Sequence, residues 1–132
     1  MTTTPNEIAC LFERYGAAWN RHDLDAIMAE HAPDCIFHLH AGGAAVTGIT
    51  AVREAFAASL AQWPGLHFTA DDVRMGADHV TSRWTGTITL APGRELRFDA
   101  VDVIVIAGGR IARKDTYVDS QALQQQLAAL AG

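Results

Sequence analysis

From Leu66 to Val118 the sequence offers almost nothing but β-strand, broken by the short turns Gly76-Ala77-Asp78, Ala91-Pro92-Gly93 and Ala107-Gly108-Gly109. Leu66 to Met75, His79 to Leu90, the stretch around Leu96 to Ile106, and Ile111 to Val118 are rich in β-branched and aromatic residues, as strands are. Turns this short join antiparallel neighbours, so the segment reads as a β meander. What precedes it is helical. Ile8, Leu11, Phe12, Tyr15 and Trp19 recur at helical spacing between Asn6 and Asn20, giving one stripe of an amphipathic helix. Asp23 suits the N-cap of a short second helix running to about His31 and ended by Ala32-Pro33-Asp34. Cys35 to His40 reads as a strand, and Thr50 as the cap of a third helix carrying Val52, Phe56, Leu60 and Trp63. A last helix, capped by Asp119 or Ser120, places Leu123, Leu127 and Leu130 on one side. The order ααβα followed by a meander and a helix predicts an α+β fold, a curved sheet wrapping helices around one cavity.

The chain has 132 residues, enough for one domain with its own core, and no repeat or linker invites a cut. Its formal charge of −5 is spread along the sequence, with no basic stripe to track nucleic acid or an anionic membrane. The first residues lack the pattern of a secretory signal, and no stretch approaches the length of a membrane span. Cys10 and Cys35 form no C-x-x-C pair or zinc spacing, so both are expected as reduced, buried thiols in a cytoplasmic protein.

Against this background Asp102 stands out. Strand alternation puts it on one face with Leu96, Phe98, Ala100, Ile104 and Ile106. A carboxyl group among apolar side chains must find partners or hold its proton, and either condition suits chemistry. The plain alternative is an edge charge, or a carboxylate satisfied by backbone and a nearby arginine. Tyr15 lies in the aromatic stripe of the first helix. His38 and His40 share one face of their strand and Phe37 and Leu39 the other, so the two pairs cannot all enter one cavity unless the strand bulges. An imidazole is a suitable proton carrier near neutral pH, and the H-x-H spacing can also ligate metal, although no further patterned ligands accompany it. There is no G-x-S-x-G elbow, no phosphate-binding glycine loop and no H-E-x-x-H pair. Chemistry without a cofactor or metal is therefore expected.

Two stretches carry a family resemblance. One is Arg14-Tyr15-Gly16-Ala17-Ala18-Trp19-Asn20-Arg21-His22-Asp23-Leu24-Asp25-Ala26-Ile27 with His31-Ala32-Pro33-Asp34; the other is Val101-Asp102-Val103-Ile104-Val105-Ile106-Ala107-Gly108-Gly109-Arg110-Ile111, running into Tyr117-Val118-Asp119 and Gln126-Leu127. With the element order, they make the chain resemble the NTF2-like superfamily, within it the SnoaL-like polyketide cyclase and ketosteroid isomerase group. The resemblance implies a cone-shaped fold whose curved antiparallel or mixed sheet wraps the N-terminal helices. Tyr15 takes the place of the steroid isomerases' oxyanion-hole tyrosine, and Asp102 that of its protonated aspartic acid partner. Leu39 stands where those enzymes carry their general base. The cyclases' essential acid falls at Thr116, beside Asp115, and Asp102 replaces a cyclase histidine. Neither subfamily pattern is complete.

The resulting expectation is a cofactor-independent isomerase, dehydratase or cyclase acting on an apolar carbonyl compound, polyketide- or steroid-like. In it Tyr15 and Asp102 hydrogen-bond a developing enolate oxygen, and His38 or His40, or water, moves the proton. Trp19, Leu39, Trp63, Phe98 and Tyr117 are expected as pocket wall. The competing reading is a non-catalytic domain that binds a small molecule or dimerises, with Leu39 and Thr116 as lost catalytic positions. A homodimer is expected through the sheet face that carries Val101, Val103 and Val105.

Overall fold

The computed structural model describes residues 3–131, leaving Met1, Thr2 and Gly132 of the expected 1–132 domain outside the described residues. The elements are α1 (Pro5–Asn20), α2 (Leu24–Ala29), β1 (His31–His40), β2 (Val46–Thr47), α3 (Ile49–Gln62), β3 (Leu66–Met75), β4 (His79–Ala91), β5 (Arg94–Ala107), β6 (Arg110–Val118) and α4 (Ser120–Ala131). Thr4 caps α1 by accepting the Glu7 amide at 3.2 Å, and Asp23 caps α2 through the Ala26 amide at 3.1 Å. The last helix is held by Asp119, whose carboxylate accepts the Ala122 amide at 3.0 Å.

Some boundaries differ from the expectation. The cap of α3 is Gly48 at φ 94°, not Thr50, because the backbone there turns through a left-handed region that favours glycine. Strand β1 begins at His31 rather than Cys35. Its pairing with β6 shifts between His31 and Ile36, and Pro33, which has no amide to donate, falls within that irregular stretch. The two-residue strand β2 had no periodicity to announce it. Cys10 is exposed on α1, contrary to the buried thiol expected, whereas Cys35 is buried and free.

The strands form one curved sheet in the order β2-β1-β6-β5-β4-β3. The β1 and β6 pair is parallel and the others antiparallel. Its concave face meets α1 and α3, giving a core around Ile8, Leu11, Ile27, Val52, Phe56 and Ile104. A second apolar cluster, Leu66, Trp84, Ile88, Leu96, Phe98 and Ala100, fills the other end, where α4 lays Leu123 and Leu127 over it. The β3 margin is tied down by α1: the Asn20 amide group bonds the Phe68 backbone twice, at 2.8 and 3.0 Å. Among the described residues no helix is long and apolar enough to cross a membrane.

Candidate active site

Strand register builds the site. Leu39, Thr116, Asp102 and Ser82 stand side by side on the inner face of β1, β6, β5 and β4. The next row is Phe37, Lys114, Ile104 and Val80. Along β5, Asp102 follows Ala100 of one apolar cluster and precedes Ile104 of the other, so it occupies the seam between them. A polar row therefore crosses an otherwise apolar concave wall.

Lys114 is the centre of this arrangement, with its side chain only 7% exposed. Its ammonium donates to the Tyr15 hydroxyl at 3.1 Å and lies 3.9 Å from a carboxylate oxygen of Asp102. The rings of Trp19, Tyr15, Phe56 and Phe37 surround it at 4.6, 4.8, 5.2 and 6.0 Å from Nζ. Aromatic faces and a nearby carboxylate both favour a cation. Burial pulls the Lys114 amine down, but Tyr15 and Asp102 outweigh it and hold it above its ordinary value. Asp102 is engaged from both sides, because the Thr116 hydroxyl donates to its other oxygen at 2.6 Å.

Tyr15 links this pair to a second buried group. Burial raises its hydroxyl against the opposing pull of Lys114, so it stays protonated, and it lies 2.9 Å from Nε2 of His31. His31 is completely buried, and burial first and the Lys114 charge second push it down to about 3. A neutral His31 accepts from Tyr15 through Nε2, which places its own proton on Nδ1, an atom with no partner. Among the described residues the buried indole N–H groups of Trp19 and Trp84 also find no partner.

Two cavities, of about 330 and 140 Å³, meet at this wall and share Trp19, Phe68, Trp84, Asp102 and Lys114. Asp102 and Lys114 are the only charged side chains among the described residues lining either one. The rest of the larger cavity is mostly apolar and aromatic, with Trp63 and the α4 residues Leu123 and Leu127 in its wall, and its other polar lining residues, among them Gln62, Thr116 and Gln124, are neutral.

Of the residues expected from sequence, Tyr15, Trp19, Leu39, Trp63, Phe98 and Asp102 line these cavities. Three do not. His38, His40 and Tyr117 lie together on the convex face, with Tyr117 48% exposed and stacked on His40 at 4.0 Å. The reason is alternation: β1 turns Phe37 and Leu39 inward without the bulge that would let the histidines follow. Tyr15 and Asp102 make no direct hydrogen bond to each other among the described contacts. Lys114 stands between them, and both Asp102 oxygens face donors, so Asp102 is an acceptor. Sequence reading missed Lys114 and His31. Lys114 was findable, since it has the inward parity of Thr116 and Val118; His31 looked like a helix end.

The fold and this site define a cone-shaped α+β domain with an apolar ligand cavity. The chain matches the SnoaL-like domain family over residues 12–114 and belongs to it. No curated protein matches it in sequence. Among solved structures it is similar to a candidate SnoaL-like polyketide cyclase from Jannaschia sp. CCS1, with a TM-score of 0.84, 18% identity and 98% of each chain covered. A protein of ketosteroid isomerase-like fold from Catenulispora acidiphila, in complex with trimethylamine, is similar with a TM-score of 0.76 and 24% identity over 94% of this chain and 93% of that one. TerC, co-crystallised with polyporic acid, follows at 0.78 and 17% over 92% and 98%. At these identities the likeness carries the fold, which hosts unrelated chemistries.

Proposed function

We propose that the chain is a cofactor-independent enzyme that enolises an apolar carbonyl compound bound in the cone, leading to isomerisation or ring closure. The supporting observation is the pairing of Asp102 and Lys114 at the wall common to both cavities, the sole charged groups among the described residues that line this aromatic enclosure. A neutral, largely apolar ligand suits a site whose own charges cancel, and the TerC complex with polyporic acid is a ligand precedent in a protein of the same fold.

The substrate carbonyl oxygen meets Lys114. An ammonium has three N–H donors, and one is committed to Tyr15, which leaves donors for a ligand. Asp102, already a hydrogen-bond acceptor, takes the proton from the carbon beside the carbonyl. The electron pair of that C–H bond becomes the enolate, and Lys114 stabilises the negative charge on oxygen. The proton then returns from Asp102 to another carbon, which isomerises the compound, or the enolate carbon attacks a second carbonyl, which closes a ring and leaves the proton for the new alkoxide. This reassigns the proton carrier from the convex-face histidines to Asp102, and the electrophile from Tyr15 to Lys114. Tyr15 and His31 position the ammonium.

Turnover on a panel of unsaturated ketones and polyketide-like dicarbonyl compounds tests the reading. Asp102→Asn and Lys114→Met are each expected to lower kcat by at least ~10-fold, with folding at the assay temperature checked by circular dichroism. Variants as active as wild type would leave a binding domain as the better reading, with Leu39 marking a lost base.

A further inference from the structure

We propose that the convex face of the sheet holds a divalent transition-metal site, with Zn²⁺ the best-fitting ion, made by His38, His40 and Asp115. None of the three lines the cone, and the site does not depend on the reaction proposed above.

Geometry carries the proposal. His38 and His40 project from one side of β1, and parallel pairing sets His38 opposite Asp115 and His40 opposite Tyr117 on β6. One ligand atom from each of His38, His40 and Asp115 falls within 4.8 Å of the others. Two imidazoles and one carboxylate, leaving a position for water, form a set that tetrahedral zinc accepts. The cluster is partly shielded, with the His40 and Asp115 side chains 26% and 16% exposed.

The surroundings orient these ligands. Tyr117 stacks on the His40 ring with planes 8° apart, which fixes its plane. Arg113 donates to Asp115 through Nε at 2.8 Å and Nη2 at 3.2 Å, on separate oxygens. The Nε bond to Oδ2 can persist as an outer support when Oδ1 turns to a metal, as metal-binding carboxylates are commonly held. The atoms that would bind are now bridged by a proton: His40 Nε2 lies 2.8 Å from Asp115 Oδ1. A metal ion takes the place of that hydrogen, the neutral ring keeping its single proton on Nδ1, and His38 Nε2 likewise exchanges its 2.9 Å contact with the Gly43 carbonyl for the ion.

Isothermal titration of the chelator-treated full chain with Zn²⁺ tests this, with Co²⁺ absorption reporting coordination geometry. One ion per chain is expected, with a tetrahedral Co²⁺ spectrum. His38→Ala and His40→Ala should each weaken Zn²⁺ binding by ~10-fold or more, both being surface changes checked by circular dichroism. Cys10→Ser should leave binding unchanged, since Cys10 is an exposed free thiol able to capture zinc on its own. Absence of binding, binding that survives both histidine substitutions, or its loss in Cys10→Ser would overturn the proposal.

Discussion

His31 shows how far a single buried side chain can set the behaviour of the fold. Its ordinary value of 6.5 is pushed down to about 3 by burial, with the Lys114 charge adding to the effect. Between those limits the unfolded chain binds a proton that the folded chain refuses. Stability should therefore fall as pH drops below 6.5 and level off near 3, by up to about 1.4 kcal/mol per pH unit in the middle of the window. Urea unfolding of wild type and His31→Gln across that range checks this. The difference between the two should grow toward acid, and parallel pH profiles would contradict it. Lys114 makes a different point. Asp102 was legible in the sequence because an acid among Leu96, Phe98, Ala100, Ile104 and Ile106 breaks a pattern. A lysine between Arg113 and Asp115 breaks none until β6 is placed, because its long stem lets either face be imagined.

Among the elements, β5 was read most faithfully, since strict alternation fixes both its faces. Strand β1 was misread at its start because Pro33 looked like a stop, when the irregular pairing simply had no need of its amide. Strand parity turns Leu39, Phe98 and Asp102 toward the cavities, and it turns Tyr117, in phase with Arg113 and Asp115, outward. Helix α4 has no buried residue among those described, and it lines the cavity with Leu123 and Leu127. Gln126 holds it by accepting the Arg97 amide at 2.9 Å and donating to the Arg97 carbonyl at 2.6 Å. Losing two such bonds should cost about 1–3 kcal/mol of local stability. In Gln126→Ala, amide exchange should accelerate along α4 while the interior of β5 stays protected; unchanged α4 exchange would show that leucine packing alone holds the helix.

For the molecule as a whole, element order and turn placement were enough to anticipate a curved sheet around helices, because short turns leave an antiparallel meander few alternatives. The parallel contact between β1 and β6 was not legible, since it joins strands from opposite ends of the chain. The convex face leaves Val101, Val103 and Val105 half-buried in a row. We expect this face to pair with a second copy, which would remove the row from water. Light scattering after size exclusion at micromolar concentration should give a dimer, and Val103→Glu, placed beside Asp115 on β6, should shift it toward monomer. A wild-type monomer would contradict that expectation.

In the proposed mechanism Asp102 and Lys114 enolise a ligand in the cone. Proton NMR in D₂O observes this without requiring the final product: a bound ketone that is enolised exchanges its α-hydrogens for deuterium. Exchange is expected to be catalysed by wild type and slowed by at least ~10-fold in Asp102→Asn. Equal exchange by the two proteins would contradict it.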